Sequence, residues 1–286
     1  MADAPSVPAL FAFQPDEEVE RGFLRVLGEM ATHSRRFAAS SQGTLAESIH
    51  GTRVVTKRLR ASLWFGSSAF SAAAMKRAKV QLRKASHLLA AERELTVMRS
   101  QLERLARKTA KSADRKALRR LAHVHESRSV ISAKPEQSLR QAGAIVLTTI
   151  KELKQEANGN ARWPSSSKRL AKAFRASEKA GKKALRGDDP ARFHDWRKRA
   201  KRLLYLLQLT QGDPNERMAK TIDRVDQLQD QLGAYHDAVI AQDRLRKYPS
   251  AEISRRLVRH GFRLLEKRKC RLRKKVRKIA GHLRRK

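Results

Sequence analysis

A fourteen-residue pattern of cations and leucines occurs twice in this chain, about half of its 286 residues apart. The copies are His50-x-x-Arg53-x-x-x-Lys57-Arg58-Leu59-x-x-x-Leu63 and His194-x-x-Arg197-x-x-x-Lys201-Arg202-Leu203-x-x-x-Leu207, with six of fourteen positions identical at an offset of 144. A weaker pair follows at an offset of 143: Leu89-x-x-x-Arg93-Glu94-x-x-Val97 and Leu232-x-x-x-His236-Asp237-x-x-Ile240. Two matches in the same order at nearly the same offset indicate duplication.

The sequence predicts helices throughout, because Ala, Leu, Lys, Arg and Gln dominate and alternating β-branched residues are missing. Thr44-Leu-Ala-Glu47 has the form of a capping box, and Asp189-Pro190 and Asp213-Pro214 each place a capping carboxylate before a proline. The predicted helices span residues 16–40, 44–66, 71–90, 94–108, 113–130, 136–157, 166–186, 190–210, 215–235, 237–247 and 251–283.

The predicted helices follow the same repeat. The first four fall on 166–186, 190–210, 215–235 and 237–247 when they are shifted by the repeat offset. A turn-rich stretch at residues 158–167 is the one segment suited to join two halves. We therefore predict an all-α protein with one half at 1–157, a linker at 158–167 and a second half at 168–286.

The charge of the chain requires an anionic partner or a large counterion atmosphere. Lys and Arg number 65 against 28 Asp and Glu, a net charge of +37, whereas residues 1–30 are net acidic. On a helix, positions 50, 53 and 57 share a face, as do 194, 197 and 201, at intervals of about 4.5 and 6 Å along the axis. In the second copy, an apolar stripe borders the cations and is predicted to face the core: Phe193, Trp196, Ala200, Leu203, Leu204 and Leu207.

These motifs, the Leu232-Gly233-x-x-His236-Asp237 segment and the half-length repeat resemble the CHAD family over residues 12–285. The resemblance implies two four-helix bundles related by a pseudo-two-fold axis, with a basic cleft that binds inorganic polyphosphate and places such proteins on polyphosphate granules. Carried onto this sequence, it implies a phosphate-binding set of His50, Arg53, Lys57, Arg58, Arg60, Arg93, His194, Arg197, Lys198, Lys201, Arg202, Tyr205 and His236. The chain departs from the family pattern at Ala61, Ala90, Glu94, Leu204 and His236.

Other chemistries find little support in the sequence. His123 and His125 would lie on different helix faces, no His-Glu-x-x-His motif or Cys/His set occurs, and Cys270 is the single cysteine. Gly-rich phosphate loops, nucleophile elbows and paired catalytic carboxylates are missing. We expect no metal, no cofactor and no catalytic residue, and we interpret His236-Asp237 as a hydrogen-bonded helix junction.

The sequence also predicts where the protein is located and allows two alternative partners. No apolar run approaches the ~20 residues of a membrane span, and no basic leader follows Met1, so we expect a cytoplasmic protein on polyphosphate granules. The alternative partner is DNA or RNA bound without sequence specificity, because residues 255–286 contain 16 Lys and Arg. A third interpretation is a homodimer or other self-association, in which the acidic residues 16–20 dock on a basic face of another copy.

Overall fold

The computed structural model describes residues 11–39, 44–130, 134–157, 162–211, 216–247 and 254–284. Within these ranges the chain has ten α-helices and no strand, which confirms the predicted all-α fold. The helices are α1 (Val19–Ala38), α2 (Leu45–Phe65), α3 (Ala72–Leu88), α4 (Ala90–Arg107), α5 (Ser112–Val130), α6 (Pro135–Glu156), α7 (Ser166–Leu185), α8 (Pro190–Thr210), α9 (Glu216–Arg246) and α10 (Arg255–Arg284). None of them combines the length and the hydropathy needed to cross a bilayer.

The two predicted capping signals that lie within the described residues are confirmed. The Thr44 hydroxyl accepts a hydrogen bond from the Glu47 amide, and the Glu47 carboxylate accepts one from the Thr44 amide at 2.7 Å, which completes the capping box of α2. At the start of α8, the Asp189 carboxylate accepts a hydrogen bond from the Ala191 amide at 2.9 Å. The predicted cap at Asp213-Pro214 lies outside the described residues.

The predicted break between helices 215–235 and 237–247 is wrong, because α9 continues through His236 and Asp237 to Arg246. Its buried residues keep helical spacing on both sides of this point: Val225, Leu228, Leu232, Tyr235, Ala238, Ala241 and Leu245. Burial of this apolar stripe stabilises an uninterrupted helix, and no proline interrupts α9. His236-Asp237 is therefore part of a helix interior and not a junction.

The chain divides into two compact units. Unit 1 consists of the described residues of Met1–Ala90, Pro135–Ala176 and Lys201–Asp223, and unit 2 consists of those of Ala91–Lys134, Ser177–Ala200 and Arg224–Lys286. Each unit takes segments from both sides of residues 158–167, which differs from the predicted division into sequence halves. The reason is that α7, α8 and α9 each contribute their two ends to different units.

Unit 1 has its core where α1, α2, α3 and α6 pack together. Phe23, Leu27, Leu59, Leu82 and Val146 are all completely buried there. The segment before α1 is tied in as well, because the Phe13 amide donates a hydrogen bond to the Leu209 carbonyl at 2.7 Å. This packing fixes α2, which carries the first motif copy, in the middle of the unit.

Unit 2 contains two apolar clusters. The first is built by α4, α5, α9 and α10 around Leu102, Leu118 and Leu265. The second joins α7, α8, α9 and α10 around Trp196 and Tyr235. The apolar stripe predicted in the second motif copy is confirmed, since all six of its residues are at most 3% exposed.

We predict that adding a methyl group at Gly181 will destabilise unit 2. A Cβ at this position of α7 would stand 2.8 Å from Cε2 of Trp196, whose ring is 1% exposed and has no room to move. Gly181→Ala should lower the free energy of unfolding by about 1–3 kcal/mol, as overpacking does. Gly281→Ala in α10 is the matched control, because nothing lies within 4 Å of its Cβ. Urea unfolding should show it to be neutral or up to about 1 kcal/mol stabilising. Equal effects of the two substitutions would contradict this packing.

Candidate functional site

The predicted phosphate-binding residues differ in how far they reach the solvent. His50, Arg60 and Lys198 are exposed, Arg58 is buried, and the others are half-buried: Arg53, Lys57, His194, Arg197, Lys201, Arg202, Tyr205 and His236. The side chain of Arg93 lies outside the described part of the chain. These eight residues are divided between the two units, and each set is a part of the candidate site: Arg53, Lys57, Lys201, Arg202 and Tyr205 belong to unit 1, and His194, Arg197 and His236 belong to unit 2.

Arg53 anchors the first motif copy to the end of a neighbouring helix. Its Nη1 donates a hydrogen bond to the carbonyl oxygen of Leu89 at 2.6 Å, and Leu89 is the C-cap of α3. Carbonyls at a helix C-terminus lack intrahelical donors and carry partial negative charge, so a guanidinium is well placed there. The Nη1 group of Arg53 therefore has a structural role, because it binds the end of α3.

Arg197, the counterpart of Arg53 in the second motif copy, also lies beside a neighbouring helix. Arg197 lies against α9 beside Gly233, with its Nε 3.8 Å from where a Cβ of residue 233 would stand. Gly233 follows Leu232, the repeat counterpart of Leu89. In each unit, the motif arginine thus lies beside the segment that carries the second repeat match.

Within unit 1, residues of both motif copies meet at one aromatic ring. The guanidinium carbon of Arg58 lies 5.3 Å from the centroid of the Tyr205 ring, and Nζ of Lys201 lies 5.6 Å from the same centroid. Arg58 is also 5.2 Å from the ring centroid of Phe11. Cation–π contacts of this kind contribute about 0.5–2 kcal/mol each, and more as water is excluded. We call Phe11, Arg58, Lys201 and Tyr205 the aromatic–cation cluster.

Arg202 belongs to a second such contact in unit 1. Its guanidinium carbon lies 5.1 Å from the centroid of the Trp64 ring, and that of Arg169 lies 5.3 Å from it. Arg169 is held in turn by a hydrogen bond to the Ser67 hydroxyl at 2.9 Å. The cations of the motif therefore keep defined positions although they belong to long, flexible side chains.

Unit 2 holds the histidine part of the second copy. The rings of His194 in α8 and His236 in α9 lie 4.5 Å apart between centroids, and we call them the histidine pair. Nδ1 of His194 is shielded from solvent, and no described group hydrogen-bonds to it. Burial, together with the charges of Lys198 and Arg197, lowers the pKa of His194 below its ordinary value of 6.5. The ring is consequently poised to take up a proton when an anion offsets the neighbouring cations.

Sequence reasoning located the motif cations but missed the groups that hold them. Phe11, Trp64 and Arg169 were not among the predicted site residues, and they come from three separate segments of the chain. Trp64 directly follows the last leucine of the first motif copy, which was the one available signal. The described residues contain no group of three or more His, Cys, Asp or Glu side chains placed to hold a metal ion.

This is an all-helical protein whose repeated basic motif is set against aromatic rings and helix ends. The model of the CHAD domain family matches residues 24–246, so the chain belongs to that family. The crystal structure of the CHAD domain from the plant Ricinus communis is similar at a TM-score of 0.62 and 18% identity, over 99% of this chain and 98% of that one. PptA from Streptomyces chartreusis is similar at a TM-score of 0.69 and 17% identity, over 92% of this chain and 98% of that one. A search of curated protein sequences gives no match.

We predict that His194 makes the stability of the protein depend on pH. Because its pKa is lowered in the folded protein, the unfolded chain binds a proton more readily, and the unfolding free energy falls as the pH drops below 6.5. This fall should be smaller in His194→Gln, as measured by urea unfolding between about pH 7.5 and about pH 5. The same pH dependence in wild type and variant would show that the ring is protonated equally well in both states.

Proposed function

We propose that this protein binds inorganic polyphosphate through its motif cations, without turning it over, and is thereby held on polyphosphate granules in the cytoplasm. One observation carries the proposal: Arg58 of the first copy and Lys201 of the second lie at the same Tyr205 ring. The repeat thus concentrates cations of both copies in unit 1. Membership of the CHAD family supports the same ligand, since polyphosphate binding is what the family resemblance implies.

The environment of these cations suits a phosphate chain. Lys57, Lys201 and Arg202 are half-buried, so their charges act through a medium less polarisable than water and are screened less by salt. The contacts of Lys201 and Arg202 with rings also reduce the side-chain entropy that binding would remove. Arginine can bind a phosphate through two parallel hydrogen bonds, whereas lysine acts as a point charge, and the motif supplies both.

The aromatic rings favour polyphosphate over nucleic acid at this surface. Proteins that bind single strands stack bases on aromatic side chains. Here Tyr205 and Trp64 each have two cations within 5.1–5.6 Å of the ring centroid. These cations compete with a base for the ring faces. A ligand made only of phosphates needs the cations and not the rings.

The proposal predicts that neutralising four cations of the predicted phosphate-binding set weakens polyphosphate binding more than neutralising four other cations. The motif variant combines Lys57→Gln, Lys198→Gln, Lys201→Gln and Arg202→Gln. The scattered variant combines Arg36→Gln, Arg83→Gln, Lys116→Gln and Lys151→Gln, which are exposed positions on α1, α3, α5 and α6. Titration calorimetry with polyphosphate at ~0.15 M salt should show more than about tenfold weaker binding for the motif variant, because each hydrogen bond to a charged group contributes about 1.5 kcal/mol or more.

The scattered variant should bind within about threefold of wild type, since its four charges are solvated and screened. Circular dichroism must show that both variants keep their helical content. Equal loss in the two variants would mean that polyphosphate responds to net charge alone, and the motif would then have no special role.

A further inference from the structure

The last helix, α10, presents one face to the core of unit 2 and the opposite face to solvent. Leu257 and Leu265 lie in the first apolar cluster, and Leu272, Val276 and Ala280 lie in the second. These contacts, spaced by eight, seven, four and four residues, fix the rotation of the helix about its axis. The solvent-facing side is therefore a defined surface of about 45 Å in length, given 30 residues at ~1.5 Å each.

The solvent-facing side of α10 is almost entirely cationic. Ten of its residues are exposed lysines and arginines: Arg255, Arg256, Arg259, Arg263, Lys267, Arg271, Lys274, Lys275, Arg277 and Lys278. The helix has a single acidic residue, Glu266, whose carboxylate accepts hydrogen bonds from Gln242 and Lys269, both at 2.9 Å. The Glu266 side chain is 51% exposed, but its carboxylate is bound to Gln242 of α9 and to Lys269, so one carboxylate stands against ten exposed cations.

Other carboxylates compensate little of this face. Asp114 lies 3.9 Å from Arg256, and Asp188 forms an ion pair with the half-buried Arg273. In the part of the chain that the structure describes, no carboxylate lies within ion-pair distance of Arg263, Lys267, Lys274, Lys275 or Lys278. The middle of α10 is thus a continuous positive stripe.

The C-terminal end of α4 lies beside α10 and adds cations to this stripe. Arg268 donates a hydrogen bond to the Gln101 side chain, and Thr109 lies 3.5 Å from Nε2 of His260, so α4 runs antiparallel beside α10. Two exposed cations, Arg104 of α4 and Lys108 just beyond the last residue of α4, follow Gln101 by three and seven residues. Their proximity to α10 has an electrostatic consequence, because Arg271, burial, Arg268 and Arg104 together lower the pKa of Lys108.

We propose that the exposed face of α10, together with Arg104 of α4 and the adjacent Lys108, is a second binding surface whose ligand is duplex nucleic acid, bound through its phosphates without sequence specificity. The surface includes none of the motif cations, and it lies mostly beyond residues 24–246 that the family model matches. The cations of this surface also differ from the motif cations in their burial. Those of the motif are mostly half-buried against rings and carbonyls, whereas those of α10 are exposed.

The shape and composition of the surface favour a duplex. A straight stripe of about 45 Å exceeds one turn of B-DNA, which is about 34–36 Å, so cations along it can reach phosphates over a full turn. The helix contains no Asn, Gln, Tyr or Trp, so it offers no amides that read base edges. Its one phenylalanine, Phe262, is half-buried with the guanidinium of Arg246 over its ring, which disfavours stacking of single-stranded bases there. Membrane-surface helices insert their apolar face into the lipid, but here that face is already buried in unit 2.

The test uses the α10 variant, which combines Arg263→Gln, Lys267→Gln, Lys274→Gln and Lys278→Gln in the full chain. Binding of a fluorescently labelled 25-base-pair duplex is followed by anisotropy at several salt concentrations. We expect the α10 variant to bind more than about tenfold more weakly at ~50 mM salt, with the slope of log K against log salt reduced by roughly 3 to 4, as the loss of four phosphate contacts requires.

The motif and scattered variants remove the same number of charges and should each stay within about threefold of wild type. Equal loss of duplex binding in the scattered and α10 variants would overturn the proposal in favour of net charge. It would also be overturned if vesicles with anionic lipids displaced the duplex from wild type, and the α10 variant lost only vesicle binding. Since the duplex is the probe, the result stands whether or not the motif variant loses polyphosphate binding.

Discussion

Several cations of the repeated motif contact aromatic rings or a backbone carbonyl, which carry no full negative charge. Arg53 binds the carbonyl at the end of α3, Arg58 lies over the rings of Phe11 and Tyr205, and Arg202 lies over Trp64. Such contacts fix a side chain without cancelling its charge. A chain with a net charge of +37 can in this way order its motif cations and still present them to a polyanion.

The few carboxylates of the chain serve a different purpose where they are buried. Glu17 and Glu29 both bind Arg25, which also donates a hydrogen bond to the Ala12 carbonyl at 2.7 Å, and this network attaches the segment before α1 to that helix. The hydrogen bond from Arg25 holds the pKa of Glu17 at about 2, so the ion pair between Glu17 and Arg25 persists to acidic pH. Burial raises the pKa of Glu29, so its contact with Arg25 is the part of the network that weakens first as the pH falls.

Local sequence signals predicted local structure well. The capping box at Thr44, the cap at Asp189 and the buried stripe of α8 depend on residues within a few positions of one another, and all three are confirmed. The break expected at His236 failed because tertiary burial on both sides of it favours one helix. Pairings over long sequence distances, such as Phe11 with Arg58 or Trp64 with Arg169, leave no periodic trace and could not be predicted. The assembly of each unit from several distant segments escaped prediction for the same reason.

The central claim is that the motif cations, and not the most exposed basic residues, bind the phosphate chain. A crystal structure of the protein with a bound polyphosphate chain tests it most directly. The account predicts phosphate oxygens within hydrogen-bond distance, about 2.7–3.2 Å, of Lys201 or Arg202 in unit 1 and of Arg197 in unit 2. Phosphates found only along the exposed face of α10, with Lys201, Arg202 and Arg197 contacting none, would contradict it.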